Sequence, residues 1–337
     1  MVSALQASAV MAREIVVITG ASAGIGRALA RRFAREGARI ALIARGSAGL
    51  EATAQEVTRM GGEALIIQAD VADPDAVETA ATQVERELGP IDIWINNAAA
   101  MLYGRIDDLS PEEIRRVSDV TYHGTVWGTQ AALKRMRARG QGTIVQVGSG
   151  AAYRGIPLMS AYCAAKHAIK SFTESLRSEL IHDGVKVHLT MVNPSSVNTP
   201  LYTWARNHLP RQVRPIGPTY QPEAVAEPIY WAAHARRREV HFGWGAIVVI
   251  AANKVAPGLV DRVLARVGFE GQQTSEPVAM DQQDNLMEPV DEDMGTHGMF
   301  DEIAISPALL SQAVARLGAG GLRAVAGIML ALAMRDD

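Results

Sequence analysis

Tyr162 and Lys166 stand four residues apart in Ser-Ala-Tyr-Cys-Ala-Ala-Lys (160–166), at the head of a helix-like stretch. On a helix, residues i and i+4 lie on one face, about a turn apart. A phenol and an ammonium then share one space. A free phenol titrates near pH ~10 and is a sluggish proton partner at neutrality. A cation ~4–5 Å away, at an effective dielectric constant near ~20, favours the phenolate by ~3–4 kcal/mol. The spacing therefore predicts a tyrosine acid/base with a pKa lowered toward neutrality; the bland alternative is a solvated surface pair. A second constellation is Thr19-Gly20-Ala21-Ser22-Ala23-Gly24-Ile25-Gly26. Gly20 permits a tight turn, and Gly24 and Gly26 let a backbone approach a pyrophosphate held at a helix N-terminus. The same residues fit G-x-S-x-G, which would make Ser22 a serine-hydrolase nucleophile. That elbow normally follows several strands, and here only one precedes it.

These residues need a scaffold, and the chain supplies a repeating one. Apolar runs at 14–19, 39–44, 63–68, 91–95, 143–148, 185–192 and 240–249 alternate with helical patterns. Most are near-continuous in Val, Ile and Leu, as in strands buried on both faces of a parallel sheet. The expected fold class is α/β: a three-layer doubly wound parallel sheet, a Rossmann fold of about seven strands, with a C-terminal helical extension. The glycine turn falls at the first strand–helix junction, where nucleotide binding needs it. Arg45 follows the second strand, beside the expected adenosine ribose. An acid there suits the 2′-hydroxyl of NAD, whereas Arg suits the 2′-phosphate of NADP(H), with Ser22 as a second ligand.

The sequence divides at about residue 250. Residues 12–250 form the expected catalytic domain and 251–337 an extension. Within the extension, 251–271 reads as one helix and the acidic 271–302 as an irregular, partly mobile connector; a terminal helix follows from Ser306. Its charge-free part, Ala324–Met334, has 11 residues, too few to span a bilayer. Packing on the protein or a dimer partner is favoured over membrane-surface contact. Net charge is −3 and Cys163 is the only cysteine. Neither nucleic-acid binding nor a Cys-based metal site follows, and no metal ligand is assigned. The N-terminus lacks a basic segment followed by a long apolar run, so the expected setting is cytoplasmic. Ten acids and no Lys or Arg lie between Arg266 and Arg316. They are expected to pack on basic surface such as Arg236-Arg237-Arg238, in cis or across a dimer.

Taken in order along residues 12–250, the motifs resemble the classical short-chain dehydrogenase/reductase (SDR) family. The carriers are TGASAGIG (19–26), Asp70-Val71, Asn96-Asn97-Ala98-Ala99, Ser149, Tyr162-x-x-x-Lys166, and Pro194 to Thr199. The resemblance implies an NADP(H)-dependent oxidoreductase acting on a carbonyl/alcohol pair. In it Asp70 and Val71 hold the adenine, and Asn96, Asn97 and Ala98 flank the adenosine ribose. Ser149, 13 residues before Tyr162, binds the substrate oxygen, and Tyr162 is the general acid/base. Lys166 binds the nicotinamide ribose, and Pro194, Val197 and Thr199 hold the carboxamide. It also implies a homodimer or homotetramer. Thr121 stands where the family has an asparagine that helps hold a relay water, which leaves open a cofactor-binding regulatory protein with weak turnover. The segment 201–222 is the expected substrate lid. Its Arg206, Arg211 and Arg214 suggest an anionic or carrier-borne substrate.

Overall fold

The computed structural model describes residues 13–279 and 282–307. Seven parallel strands form its central sheet: β1 (Ile15–Thr19), β2 (Arg39–Ala44), β3 (Glu63–Gln68), β4 (Ile93–Asn96), β5 (Gly142–Val147), β6 (Val187–Pro194) and β7 (Glu239–Phe242). Their order across the sheet is β7-β6-β5-β4-β1-β2-β3. All the pairings are parallel. The order reverses between β1 and β4, and a doubly wound sheet opens a cleft at such a switch point.

The Val- and Ile-rich strands are buried because helices cover both faces. One core gathers α1 (Gly24–Ala34), α2 (Ser47–Arg59) and α7 (Pro222–His234) against Val16, Ile18, Ile40 and Leu42. The other gathers α3 (Pro74–Glu87), α4 (Pro111–Ser118), α5 (Gly124–Arg139) and α6 (Ser160–His182) against Val17, Trp94 and Ile144. Helix α4 starts as its sequence dictates. Ser110 accepts from the Glu113 amide and Glu113 accepts from the Ser110 amide, with Pro111 at the first helical position. One helical pattern over 110–139 is in fact interrupted by a π turn, Asp119–His123.

Beyond the core the structure corrects the sequence reading. The run 240–249 is a strand only to Phe242; Gly243, at φ +91°, turns the chain into α8 (Trp244–Val255). The single helix over 251–271 is two, because Pro257 starts α9 (Pro257–Val267) and cannot donate to a continuing helix. The acidic connector is irregular, as composition suggests, but it is fastened along the molecule. Gln273–Pro277 pairs antiparallel with Arg211–Val213. Residues 282–305 then form a strap over the carboxyl ends of the strands. Within the chain, the described acids of the strap meet cations other than Arg236-Arg237-Arg238. Asp284 pairs with Arg206, Asp293 with Arg27, and Glu270 just before the strand with Arg211. The terminal helix expected from Ser306 lies, from 308 on, outside the described residues. Among the described residues no helix is long and apolar enough to cross a membrane.

Candidate active site

The expected site residues come from six different strand–helix junctions, and the switch point draws them together. Gly20, Ser22, Ala23, Gly24, Ile25, Arg45, Asp70, Val71, Asn97 and Ala98 line a single cavity of about 370 Å³. Ser149, Tyr162, Lys166, Pro194, Val197 and Thr199 line the same cavity, with Thr199 against Gly24. Three expected residues do not line it, and one of them, Asn96, is buried against Thr129 and Gln146. Gly26 lies behind the turn, where a Cβ would come within 2.1 Å of the Gly20 carbonyl oxygen. Thr121 is fully buried in the π turn.

The first turn is shaped for a close ligand. Gly20 and Gly24 have φ of +66° and +55°, conformations that cost other residues free energy. A Cβ on Gly20 would lie 2.9 Å from Ala98 Cα, and one on Gly24 3.0 Å from Thr199 Cβ. Asn97 braces the turn by donating to the carbonyls of Thr19 (2.9 Å) and Gly20 (3.2 Å). Asn96 faces inward and donates to Thr129 (3.0 Å) and Gln146 (2.9 Å). At the far lip, Asp70 accepts from Arg116 at 2.6 Å and from the Ala72 amide at 2.9 Å. The glycine cradle at the start of α1, in one cavity with Asp70, Arg45, Lys166 and Thr199, fits a dinucleotide.

The chemical end sits on α6. Leu158, just before it, holds φ +68°, a strained conformation for a branched side chain. This kink sets the entry of α6, which presents Tyr162 and Lys166 to the cavity. The Ser149 hydroxyl accepts from the Ala151 amide at 3.1 Å and lines the cavity with the Tyr162 phenol. Lys166 donates to the Val147 carbonyl at 2.8 Å and lies 5.6 Å from the Tyr162 ring centre.

The electrostatics differ from the sequence reading. Burial raises the Tyr162 pKa above that of a free phenol, and the nearby Tyr202 adds to the rise; the Ser149 hydroxyl opposes it. Lys166 directs its ammonium at the Val147 carbonyl, and desolvation brings its own pKa down to about 8. These side chains alone thus hold Tyr162 protonated at neutral pH, the state a proton donor requires.

The family model for short chain dehydrogenase matches residues 14–209. The chain belongs to the short-chain dehydrogenase family. It is 34% identical over 266 residues to an uncharacterized oxidoreductase, YxnA, of Bacillus subtilis, covering 78% of this chain and 75% of that one. An uncharacterized oxidoreductase of Mycobacterium bovis is 33% identical over 263 residues, 75% of this chain and 73% of that one. Among solved structures, an alcohol dehydrogenase from the archaeon Thermococcus sibiricus complexed with 5-hydroxy-NADP aligns with a TM-score of 0.59 and 27% identity. It covers 68% of this chain and 95% of that one. This short-chain dehydrogenase is thus an oxidoreductase with a nicotinamide-binding fold.

One residue that matters to the site carried no readable signal. Asn193, on β6, accepts from the Ser149 amide at 3.1 Å and donates to Glu239; only the sheet puts β5 beside β6. Thr121 accepts from the Ala100 amide at 3.1 Å. It thereby ties the π turn to the loop after β4. Of the three lid arginines, Arg206 is taken by Asp284 (2.9 Å) and Glu113 (3.3 Å), and Arg211 by Glu270 (3.1 Å). Only Arg214 reaches the cavity. As the hydrolase alternative, Ser22 lines the phosphate end, while the late histidine His297 is engaged by Glu223 (2.9 Å) and Asp301 (3.0 Å).

Proposed function

We propose that this chain is an NADP(H)-dependent oxidoreductase that interconverts a carbonyl and an alcohol, with Ser149, Tyr162 and Lys166 as its catalytic residues. The observation that carries this reading is one cavity whose wall holds both the glycine cradle and the side chains of Ser149, Tyr162 and Lys166. The bound nicotinamide supplies or accepts the hydride. Ser149 orients the substrate oxygen. Tyr162, protonated at neutral pH, donates its proton to that oxygen in reduction and takes one back in oxidation. Lys166 holds the nicotinamide ribose once its ammonium leaves Val147. Arg45 beside Ser22 at the adenosine end supports the phosphorylated cofactor.

The substrate end of the cavity is lined by Met101, Tyr103, Met159, Tyr202 and Trp204. That wall favours an apolar carbonyl compound. Arg214 is the one lid arginine placed to meet an anionic group on it. The single thiol, Cys163, is buried and suits a reducing, cytoplasmic setting.

The test is NADPH oxidation, followed at the nicotinamide absorbance, across aldehydes, ketones, 3-oxoacyl thioesters and steroids. Turnover is expected with at least one class, and Tyr162→Phe should lower it ~10²–10⁴-fold, the usual worth of a positioned proton donor. NADPH binding should survive that substitution. Tight NADPH binding with no turnover by the wild-type protein on any class would instead favour a regulatory role. That second reading draws on Thr121, whose hydroxyl is spent on Ala100.

A further inference from the structure

The strap meets the cleft at the places where an anionic nucleotide would be held. The Gly24 amide, first in α1, donates to the Gly295 carbonyl at 3.3 Å. The Arg45 guanidinium donates to the carbonyls of Asn285 and Met287, the latter at 2.6 Å. At the start of α2, Asp291 accepts from the Ala48 amide at 2.9 Å and from the Ser47 hydroxyl at 3.1 Å. Gly46 leaves room for it: a Cβ there would lie 2.9 Å from Asp291 Oδ1. The Ala48 and Ser47 hydrogen bonds hold the Asp291 carboxyl below the usual carboxylate range, so it is an anion at physiological pH.

The start of α2 beside Arg45 is therefore an anion seat, and the chain's own carboxylate sits in it. Amides at a helix start and a neighbouring guanidinium are what a ribose 2′-phosphate needs. A 2′-hydroxyl needs neither, and it can donate to a carboxylate. We propose that Asp291, carried on the C-terminal strap, is a specificity-determining residue of the cofactor site. It competes with the 2′-phosphate for Ser47 and Ala48, while the strap carbonyls of Asn285 and Met287 hold Arg45, and it leaves binding of the unphosphorylated nucleotide almost untouched. NADP(H) then enters by an exchange of anions that lifts this part of the strap, whereas NAD(H) binds beneath it. The inference rests on the proposed nicotinamide site but not on turnover.

Fluorescence titration of the full-length chain with NADPH and with NADH tests it. Asp291→Asn should tighten NADPH roughly tenfold, the scale of removing one like charge at a few ångströms near a surface. NADH should change less than twofold or weaken. Asp291→Glu, which keeps the charge, should restore the wild-type NADPH/NADH ratio, and Glu302→Gln, an acid beyond the seat, should leave it unchanged. Hydrogen exchange at the Ala48 amide and in residues 288–296 should rise on adding NADPH to the wild-type protein and not on adding NADH. A ratio unmoved within twofold by Asp291→Asn would overturn the inference while leaving the enzyme reading intact. Equal tightening of both nucleotides would also overturn it, leaving the strap a lid with no preference. Failure of either nucleotide to bind to any variant would sink the enzyme reading as well.

Discussion

Lys166 is a buried cation whose partner is a single carbonyl, and its environment sets a pH signature. Its pKa falls from 10.5 to about 8 on burial, a difference worth ~3 kcal/mol against the charged form. The sign follows from proton counting. Between pH ~8 and ~10.5 the unfolded chain holds a proton that the folded chain has released, so stability from this group rises with pH across that window. Lys166→Met should therefore abolish turnover yet stabilise the unliganded protein by ~1–2 kcal/mol at pH 7, after loss of the Val147 hydrogen bond is allowed for. That advantage should shrink as pH rises from 8 toward 10.5. Denaturant titrations at pH 7 and pH 10 check it; an advantage equal at both would mean that the lysine charge is not what the fold disfavours.

At the scale of elements, the turn between β1 and α1 is a tightly constrained piece of backbone. A Cβ on Gly26 would press to 2.1 Å from the Gly20 carbonyl oxygen and 2.8 Å from Asn97 Nδ2. Neither group can yield cheaply, because Asn97 is what holds the turn. Gly26→Ala should cost ~1–3 kcal/mol, as overpacking does. It should weaken NADPH by tenfold or more through displacement of the cradle. A thermal melt and an NADPH titration on the same preparation would read both; unchanged affinity would mean that the turn tolerates a shift. The π turn, by contrast, is held by a side chain. Thr121 spends its hydroxyl on the loop after β4 rather than in the cavity. Any proton relay at this point must use backbone groups or water.

Across the whole molecule, the strap joins the C-terminal half to the cofactor cleft. Asp293 meets Arg27, which is nearly buried and also bidentate to Glu56. Further on, Asn198 and Gln221 both donate to Asp301, at 2.8 and 2.9 Å, and Ile305 bridges to Tyr220. The strap is thus tied at its two ends and lies across the phosphate region between them. Asp293→Ala should loosen it locally while Arg27 keeps Glu56. Exchange of amides in 288–296 should speed up several-fold, with a global stability change of ~1 kcal/mol or less, the usual worth of a partly exposed pair. Unaltered exchange would show that the strap is held by its ends alone.

The local chemistry of the site was legible in the sequence. A glycine turn can do its work only at a strand–helix junction, and tyrosine and lysine four apart can share a face only on a helix. Both patterns are set by backbone geometry over a few residues. The strand runs were legible for a similar reason, since continuous Val and Ile imply burial on both faces. What short-range pattern could not carry was the state of the charges. Whether Lys166 lowers the Tyr162 pKa depends on desolvation and on the Val147 carbonyl, a neighbour 19 residues away. The partners of Arg45, Arg206 and Arg27 come from beyond residue 280, where composition alone suggested a loose connector. An acidic, aperiodic segment has no internal reason to adopt one path. It takes one here because the cleft offers amides and guanidinium groups in an order that its carboxylates and carbonyls can meet, and only the folded sheet brings that order into being.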